Sequence, residues 1–506
     1  MANRPRTRVP SRARALALLA ALASGIAGAR AQAEPAAHTA AALPARNVVL
    51  ITVDALRTDR MSLYGHARPT TPRLDAFARE AAVFENFFAV SAHTSPGVVS
   101  LLTAQAPPVH AQTTQFSFYD ALIPSPLRLL GARGYDVVGY AIRGPTYEGL
   151  GFTRGQEGKP SEQLLSELAS GGKPFLVWLH ARETHLPYQP APEFAGRFTR
   201  GLSLDSPLLR AVRAHTLVLR HPPPGLALRH AGDVAATAGD AEPLRALYDE
   251  CVASADARVG TWLDEIRALG LLERTIVVVT ADHGEELLEH GWVGHASTGY
   301  DGKLADELQH VPLIVRLPGG AYAGRYRALA SQVDVMPTLL ALLGVDGSAL
   351  APNEQGESLV PVLRGEAAEV RPWVFAETTR KGWTTPRDEA RDRVAAIREG
   401  GRWVPVPARV DEAHRAAARR IAHAAALAHL ALAEAALARD DAVAVVAQWQ
   451  ALARIQATWG LERSPFYEDD AEWQSLRVRA AELAARAMRC DARGLSLSSR
   501  ECRADP

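Results

Sequence analysis

The 506-residue sequence lacks several features that would each indicate a class of protein. Its 56 Lys and Arg residues balance 56 Asp and Glu residues, so the basic excess used in nucleic-acid binding is missing and no such partner is expected. No segment gives a confident membrane span, which needs ~20 apolar residues. Of only three cysteines, Cys490 and Cys502 can close a short loop worth ~3 kcal/mol, and Cys251, in a predicted helix, is expected to be a buried free thiol.

The N-terminus combines five arginines, at positions 4, 6, 8, 12 and 14, with an apolar run from Ala15 to Ala29. Ala29-Arg30-Ala31 then resembles a cleavage site, so residues 1–31 are predicted to be a secretory signal peptide cleaved after Ala31. The protein is therefore expected to be periplasmic or secreted, which fits a disulfide. An uncleaved anchor is the alternative, whereas a lipoprotein anchor is not expected because no cysteine follows the run.

The most informative segment covers residues 277–291, VVVTADHGEELLEHG, where an apolar strand runs directly into Asp282 and His283. Such a strand needs cover on both faces, as in a parallel sheet, and ligands gather at the carboxyl edge of that kind of sheet. The alternative is a strand followed by a polar turn and a helix, whose first turn Glu285 and Glu286 would favour.

A second apolar strand, VVLITV, ends in Asp54. A carboxylate at the end of a buried strand is costly unless a cation, a donor or water compensates it. A divalent metal shared by Asp54, Asp282 and His283 would compensate both strand ends at once. Three charged residues of the following turn are expected to be solvated: Arg57, Asp59 and Arg60.

Between these strands lies the segment SAHTSPGVVSLLTA, residues 91–104, in which a polar turn leads into an apolar segment that can form a helix. Thr94 or Ser95 would sit at its N-cap or just before it. An ordinary cap is one interpretation. The other is an oxygen nucleophile at a helix N-terminus, where backbone N–H groups stabilise an incoming oxyanion.

These three segments, in this order, resemble the alkaline phosphatase superfamily, specifically its sulfatase-like branch. VDALRTDRMSLYG and TADHGEELLEHG resemble its two metal motifs, and TSPGVVSLLTA resembles its nucleophile motif, which places the nucleophile on Thr94. Further matches follow in family order up to about residue 365: LVWLHARETHLPY, YDECVASAD, VPLIV, DVMPTLL and GESLVPVL. The resemblance implies an α/β fold with a mostly parallel sheet flanked by helices, and an ester hydrolase that uses one or two divalent metal ions.

The departures from the family bear on the chemistry. Sulfatases resemble C-x-P-S-R at the nucleophile, with a cysteine or serine that is oxidised to formylglycine, whereas this chain has Thr94 with Gly97 and Val98 at the serine and arginine positions. A formylglycine is therefore not expected. The paired aspartate after the first strand is reduced to Asp54-Ala55, and a Lys-x-His element is absent, with Arg143 as the nearest cation to bind substrate.

Asp54, Thr94, Asp282 and His283 together resemble the metal-binding sets of threonine-using relatives, such as phosphodiesterases and phosphoethanolamine or glycerophosphate transferases. In those relatives the threonine oxygen ligates the metal and attacks phosphorus. Threonine suits a phospho-enzyme intermediate better than sulfate release. Two carboxylates and an imidazole favour Mn²⁺ or Zn²⁺, with Ca²⁺ also compatible.

Two histidines align with family positions that touch the anionic oxygens of the substrate, His185 in ETHLPY and His295 in GWVGHAS. Each can donate to those oxygens or protonate the leaving group. A solvated loop histidine is the alternative for both. His180 and His310, within or beside apolar runs, are expected to be structural.

Strand and helix patterns alternate along the chain, which predicts a parallel α/β sheet. The predicted elements are strands at 48–53, 137–141, 175–179, 276–280 and 311–317, and helices from about 73 and over 244–269. The predicted domains are a catalytic domain over 44–370, a small subdomain of strands over 371–409 and a helical region over 410–506. Residues 197–240 are expected to form an irregular insertion near the substrate side.

The alanine- and leucine-rich helical region is expected to be a packing appendage that covers the catalytic domain, with a partner-docking module as the alternative. The function expected from all of these features is an exported, metal-dependent hydrolase of an anionic ester of a small molecule, glycan or lipid, with phosphate preferred to sulfate. The alternatives are a phospho-group transferase of the cell envelope, a sulfuric ester hydrolase without formylglycine, and a non-catalytic relative that binds a sulfated or phosphorylated glycan.

Overall fold

The apolar strands form the centre of the computed structural model, which describes residues 46–112, 124–140, 145–156, 161–214, 236–295, 304–350, 355–379, 393–399, 401–406, 412–458, 471–493, 496, 497, 499 and 502. The strands are β1 (Asn47–Val53), β2 (Ala82–Phe88), β3 (Asp136–Tyr140), β4 (Arg154–Gln156), β5 (Phe175–Ala181), β6 (Thr275–Ala281), β7 (Glu286–Leu287), β8 (Val293–Gly294), β9 (Leu313–Arg316), β10 (Gly324–Ser331), β11 (Val374–Thr379), β12 (Arg393–Glu399) and β13 (Arg402–Val406). An eight-stranded sheet has the order β10-β2-β9-β6-β1-β5-β3-β4.

The α-helices are α1 (Pro72–Phe77), α2 (Thr94–Thr103), α3 (Pro107–His110), α4 (Pro126–Ala132), α5 (Ser161–Ser170), α6 (Pro207–Ala214), α7 (Ala241–Ala268), α8 (Asp306–Gln309), α9 (Val335–Leu342), α10 (Val360–Leu363), α11 (Glu412–Ala438), α12 (Ala442–Thr458) and α13 (Ala471–Ala492). Short 3₁₀ turns also occur between strands and helices, for example Thr58–Arg60 after β1. Side chains of the sheet and of the helices that flank it form one large apolar core.

Strand β1 lies in the middle of the sheet and is buried along its whole length, as is β6. Both neighbours of β1 run parallel to it, with Val53 opposite Ala281 on one side and opposite Ala181 on the other. The carboxyl ends of β1, β5 and β6 therefore meet at one edge. Only β9 runs antiparallel to its neighbours within this sheet, so the predicted fold class, a mostly parallel sheet flanked by helices, is confirmed.

The C-terminal part contains a three-stranded antiparallel sheet, β11-β12-β13, and the helices α11, α12 and α13. These helices share an apolar cluster with Val109 of α3 and Ile397 of β12, and His429 of α11 donates a 3.1 Å hydrogen bond to the Pro108 carbonyl. The helical region thus packs on the segment that follows α2. The domain boundaries and a role for these helices stay predictions.

The expectations about the cysteines and about membrane spans can be compared with the structure. Cys490 and Cys502 form a disulfide and Cys251 is a buried free thiol, as predicted. The expectation that no further segment spans a membrane stays a prediction, since Ile421–Ala438 of α11 is, among the described residues, long and apolar enough to cross a membrane by length and composition alone. However, 61% of that stretch is buried inside the protein, which is typical of a core helix.

Two other predictions concern the signal peptide and the charged turn after Asp54. The signal peptide over residues 1–31 lies outside the described residues, so cleavage and export stay predictions. The solvated charged turn after Asp54 is wrong for Arg57, whose side chain is only 3% exposed and donates to the Glu285 carbonyl and the Glu289 carboxylate. Arg60 is likewise mostly covered, because it pairs with the buried Asp249.

Candidate active site

Three side chains meet at the carboxyl edge of the sheet. Asp54 follows β1, and Asp282 and His283 follow the neighbouring β6. His283 Nε2 lies 3.7 Å from Asp54 Oδ1 and 3.4 Å from Asp282 Oδ2. One ligand atom from each of the three residues lies within 4.8 Å of the others. The predicted juxtaposition of the two strand ends is therefore present.

The His283 ring is held in the tautomer that suits a metal ligand. Its Nδ1 lies 2.8 Å from the Gly284 carbonyl oxygen, which can only accept, so Nδ1 carries the proton. In the neutral imidazole the lone pair is then on Nε2, which faces the two carboxylates. A second hydrogen bond that orients a ligating imidazole in this way is common at metal sites.

Each carboxylate leaves one oxygen without a partner. Asp282 Oδ1 accepts from the backbone N–H of Ala55 at 3.0 Å and of His283 at 2.9 Å. Asp282 Oδ2 and Asp54 Oδ1 are buried and have no hydrogen-bond partner among the described residues. Buried unpaired carboxylate oxygens that face an imidazole lone pair are costly without a cation. This donor set therefore fits a divalent metal ion.

The charges of these carboxylates depend on their surroundings. Burial opposes ionisation of Asp54, but the neighbouring His185, His180 and His283 keep its pKa well below its usual range. Burial raises the pKa of Asp282, a shift that the neighbouring His283 partly offsets. Asp54 is thus an anion at neutral pH, and a bound cation would lower the pKa of Asp282 as well.

Helix α2 places Thr94 beside His283, one of the three candidate ligands. The interpretation of Thr94 or Ser95 as an ordinary cap is not supported, because the N-cap is His93 and no side-chain capping bond is present. Thr94 is instead the first residue of the helix, and its Oγ1 lies 3.1 Å from His283 Nε2. The hydroxyl therefore lies beside one candidate ligand at the N-terminal end of a helix, where the dipole favours negative charge.

Gly97, one turn into α2, explains how the helix comes so close. A Cβ at this position would lie 2.6 Å from the Asp282 carbonyl oxygen, which is shorter than any ordinary contact. The serine found at the corresponding family position would not fit here without a shift. The glycine thus departs from the family motif for a packing reason that concerns the site itself.

His180 and Arg182, both outside the predicted site, approach the other oxygen of Asp54. His180 Nε2 lies 3.4 Å and Arg182 Nε 3.6 Å from Asp54 Oδ2. His180 Nδ1 also contacts Thr52 Oγ1 at 2.7 Å, and Thr52 accepts from Trp178 Nε1 at 2.8 Å. The expectation that His180 is merely structural is therefore incomplete, since it lies beside a candidate ligand.

The two histidines expected to touch substrate lie next to each other at the same cluster. The ring centroids of His185 and His295 are 4.9 Å apart, and those of His295 and His283 are 4.2 Å apart. His295 Nδ1 lies 2.9 Å from Glu285 Oε1, and both side chains are fully buried. Burial lowers the pKa of His295 and raises that of Glu285. Neither histidine is a solvated loop residue.

Sequence reasoning missed Glu285 and His93. Glu285 was considered only for the first turn of a helix, but the segment continues into the short strand β7 instead. His93 is buried beside Thr94, and neither of its ring nitrogens has a hydrogen-bond partner among the described residues. Burial lowers its pKa to about 3, so it is neutral. Arg143, the predicted substrate cation, lies outside the described residues.

One signal could have identified His180. His180 lies near the end of the apolar strand β5, just as Asp54 and Asp282 directly follow the apolar strands β1 and β6. In the sheet it is opposite Thr52. The same rule that selected the two aspartates applies to it. No comparable signal in the sequence points to His93 or to Glu285, because their burial depends on contacts that are remote along the chain.

Several known proteins resemble this chain in sequence or in fold. A family model described as Sulfatase matches residues 46–154 and 158–345. Arylsulfatase A of Homo sapiens is 29% identical over 411 residues, which cover 71% of this chain and 73% of the human protein.

Two solved structures share the fold, each with a TM-score of 0.54. One is a protein in complex with its substrate D-glucosamine-2-N,6-O-disulfate, at 22% identity over 74% of this chain and 92% of that one. The other is a phosphonate monoester hydrolase from Silicibacter pomeroyi, at 21% identity over 71% of this chain and 88% of that one. At these identities the likeness concerns the fold alone.

Proposed function

The chain belongs to the sulfatase family, whose members are ester hydrolases of the alkaline phosphatase-like superfamily, and on that premise we propose that it is an exported, metal-dependent hydrolase of an anionic ester. Its nucleophile is Thr94, and it prefers phosphoesters to sulfate esters. One contact carries this proposal, the 3.1 Å separation of Thr94 Oγ1 from His283 Nε2 beside two unpaired carboxylate oxygens.

The residues at the site have separable roles. A cation held by Asp54, Asp282 and His283 would lower the pKa of the Thr94 hydroxyl and cancel charge on the attacked group. The Thr94 hydroxyl loses its proton to water, and its oxygen attacks phosphorus, so that a phospho-threonine forms while the bond to the leaving alcohol breaks. His185 gives the leaving oxygen its proton, His295, whose pKa burial lowers, donates a hydrogen bond to an anionic oxygen of the substrate, and water then hydrolyses the phospho-threonine.

The preference for phosphorus follows from the nucleophile motif. Gly97 and Val98 replace the serine and arginine of the formylglycine signal, and Gly97 lies too close to the Asp282 carbonyl for a larger residue. An unmodified alkoxide is poorly suited to releasing sulfate but well suited to a phospho-enzyme intermediate. The similarity in fold to a phosphonate monoester hydrolase is compatible with phosphorus chemistry.

Sulfate ester hydrolysis without formylglycine is the second candidate, because arylsulfatase A is among the relatives and a structural neighbour takes a sulfated glucosamine. Export rests on the predicted signal peptide over residues 1–31. It would be checked by N-terminal sequencing of the secreted or periplasmic protein, which is expected to start after Ala31.

The proposal is tested by turnover of an aryl phosphate monoester, an aryl phosphodiester and an aryl sulfate in the presence of Mn²⁺, Zn²⁺ or Ca²⁺. We expect phosphoester turnover that disappears in Thr94→Ala. The matched control is Thr103→Ala at the far end of the same helix, where the hydroxyl only donates to the Val99 carbonyl. Turnover of the sulfate alone would contradict the preference for phosphorus.

If metal binds and no ester is cleaved, the hydrolase proposal fails in favour of a phospho-group transferase. That enzyme would need an acceptor alcohol and would release little free phosphate. Addition of acceptor lipids or glycans to the same assay distinguishes the two.

A further inference from the structure

The turn after β1 contains a backbone conformation that side chains other than glycine rarely adopt. Ala55 has a φ of +60°, in the left-handed region, and it directly follows Asp54. The residue is completely buried. Such a conformation persists only when surrounding contacts hold it, and it is often found at functional sites.

Two buried hydroxyls hold this turn from other parts of the chain. Tyr248 Oη, on α7, donates to the Ala55 carbonyl at 2.5 Å and accepts from the Arg57 N–H at 3.3 Å. Thr184 Oγ1, just after β5, donates to the Asp54 carbonyl at 2.5 Å. Two consecutive backbone carbonyls are therefore fixed by side chains that are remote in sequence.

One hydrogen bond connects the turn at Ala55 to the candidate metal ligand Asp282. The Ala55 N–H lies 3.0 Å from Asp282 Oδ1, so that oxygen is occupied and Asp282 Oδ2 is left unpaired towards His283. A rotation of the Asp54–Ala55 peptide would break this bond and leave the Asp282 carboxylate held only by the His283 N–H, at 2.9 Å.

We infer that Tyr248 and Thr184 are positioning residues for the metal centre, whose hydroxyls hold Ala55 in its left-handed conformation and so orient the Asp282 carboxylate towards the cation. The inference rests on the proposed metal-dependent function. Neither hydroxyl is assigned a contact with substrate. Their effect reaches the site only through the backbone of Asp54 and Ala55.

Tyr248→Phe tests this with little change in packing, because the ring remains in edge contact with Tyr188, at a centroid distance of 5.7 Å. The measurement is the Kd of Mn²⁺ for the purified full-length protein by titration calorimetry. We expect the Kd to rise by about 10- to 100-fold, the usual effect of losing a contact that orients a metal ligand. Tyr326→Phe is the matched control, since its buried hydroxyl donates to the Tyr322 carbonyl at 2.9 Å.

A rescue variant separates positioning from general damage. Glycine adopts a positive φ without the steric penalty of a Cβ, so Ala55→Gly in the Tyr248→Phe background is expected to restore part of the Mn²⁺ affinity. If the double variant has the same Mn²⁺ Kd as Tyr248→Phe alone, Tyr248 does not act by holding the Ala55 turn. If Tyr248→Phe does not fold, Thr184→Val makes the same test from the other hydroxyl, with the same expected rise in Kd.

Asp54→Asn distinguishes the failure of this inference from the failure of the proposed function. Native Mn²⁺ binding that is lost in Asp54→Asn but unchanged in Tyr248→Phe and Thr184→Val would overturn the inference alone. A native protein that binds no Mn²⁺, or an Asp54→Asn variant that binds it with native affinity, would overturn the proposed metal site and the inference with it.

Discussion

Gly97→Ala should damage the site although it adds only one methyl group. The new Cβ would lie 2.6 Å from the Asp282 carbonyl oxygen, whereas ordinary contact begins at 3.4 Å, so something must move by about 0.8 Å. That carbonyl is held by the Gln332 side-chain amide at 2.7 Å, which resists its displacement. We therefore expect α2 to shift and to carry Thr94 away from His283.

The size of the effect follows from that displacement. A misplacement of about 1 Å at a reacting group costs about 10²-fold in rate, and we expect a loss of that order in phosphoester turnover. Glycine to alanine inside a helix normally gains roughly 0.5–1 kcal/mol, but overpacking costs about 1–3 kcal/mol. A net loss of roughly 1 kcal/mol in the free energy of unfolding is expected.

The assay is turnover of the aryl phosphate, together with urea unfolding of the same samples. Gly131→Ala in α4 is the matched control, because its Cβ would meet only a Thr153 methyl group at 3.8 Å. The control is expected to keep turnover and to be as stable as the native protein or slightly more stable. If Gly97→Ala behaves like Gly131→Ala in both measurements, α2 does not lie as close to the Asp282 carbonyl as the structure indicates.

Three further predictions concern other contacts. Reduction of the Cys490–Cys502 bridge should lower the free energy of unfolding by about 3 kcal/mol and leave Mn²⁺ affinity unchanged; an unchanged denaturation midpoint would contradict this. Burial opposes ionisation of Asp306, but the hydrogen bonds from Arg398 outweigh that effect, and the net result is a lowered pKa. The ionised Asp306 therefore stabilises the fold above the unfolded-state pKa, and this stabilisation is lost as the pH falls through the folded-state pKa. Asp306→Asn should therefore cost up to about 1 kcal/mol at neutral pH and nothing in strong acid, as pH-dependent denaturation would show. His295→Ala should lower kcat by about 10²- to 10³-fold while Mn²⁺ still binds, as the loss of a donor to an anionic oxygen does, and an unchanged kcat would exclude that role.

Local patterns were sufficient to predict the sheet and the candidate metal ligands at its carboxyl edge. The apolar strands that end at Asp54 and Asp282 could be read from the sequence, because full burial of a parallel strand leaves an unbroken apolar run. The structure then places the two strands side by side with Val53 opposite Ala281. The resemblance to a family added Thr94, which by its residue type alone looked like a helix cap.

Contacts between distant residues could not be predicted in this way. The Tyr248 hydroxyl reaches Ala55 across 193 positions, and nothing local to either residue indicates the contact. Glu285 fits the first turn of a helix by its sequence, but it is buried against His295 because the chain turns into β7 instead. The burial of Arg57 likewise depends on Glu289, a residue of the second metal motif.

The most direct test of the central claim is to trap the covalent intermediate. The protein would be mixed with an aryl phosphate and Mn²⁺, quenched in acid during turnover, and digested for peptide mass spectrometry. We predict a phosphate on Thr94 that is absent from the Thr94→Ala sample. Sustained turnover with no phosphate on Thr94, or with the phosphate on another residue, would contradict the assignment of Thr94 as the nucleophile.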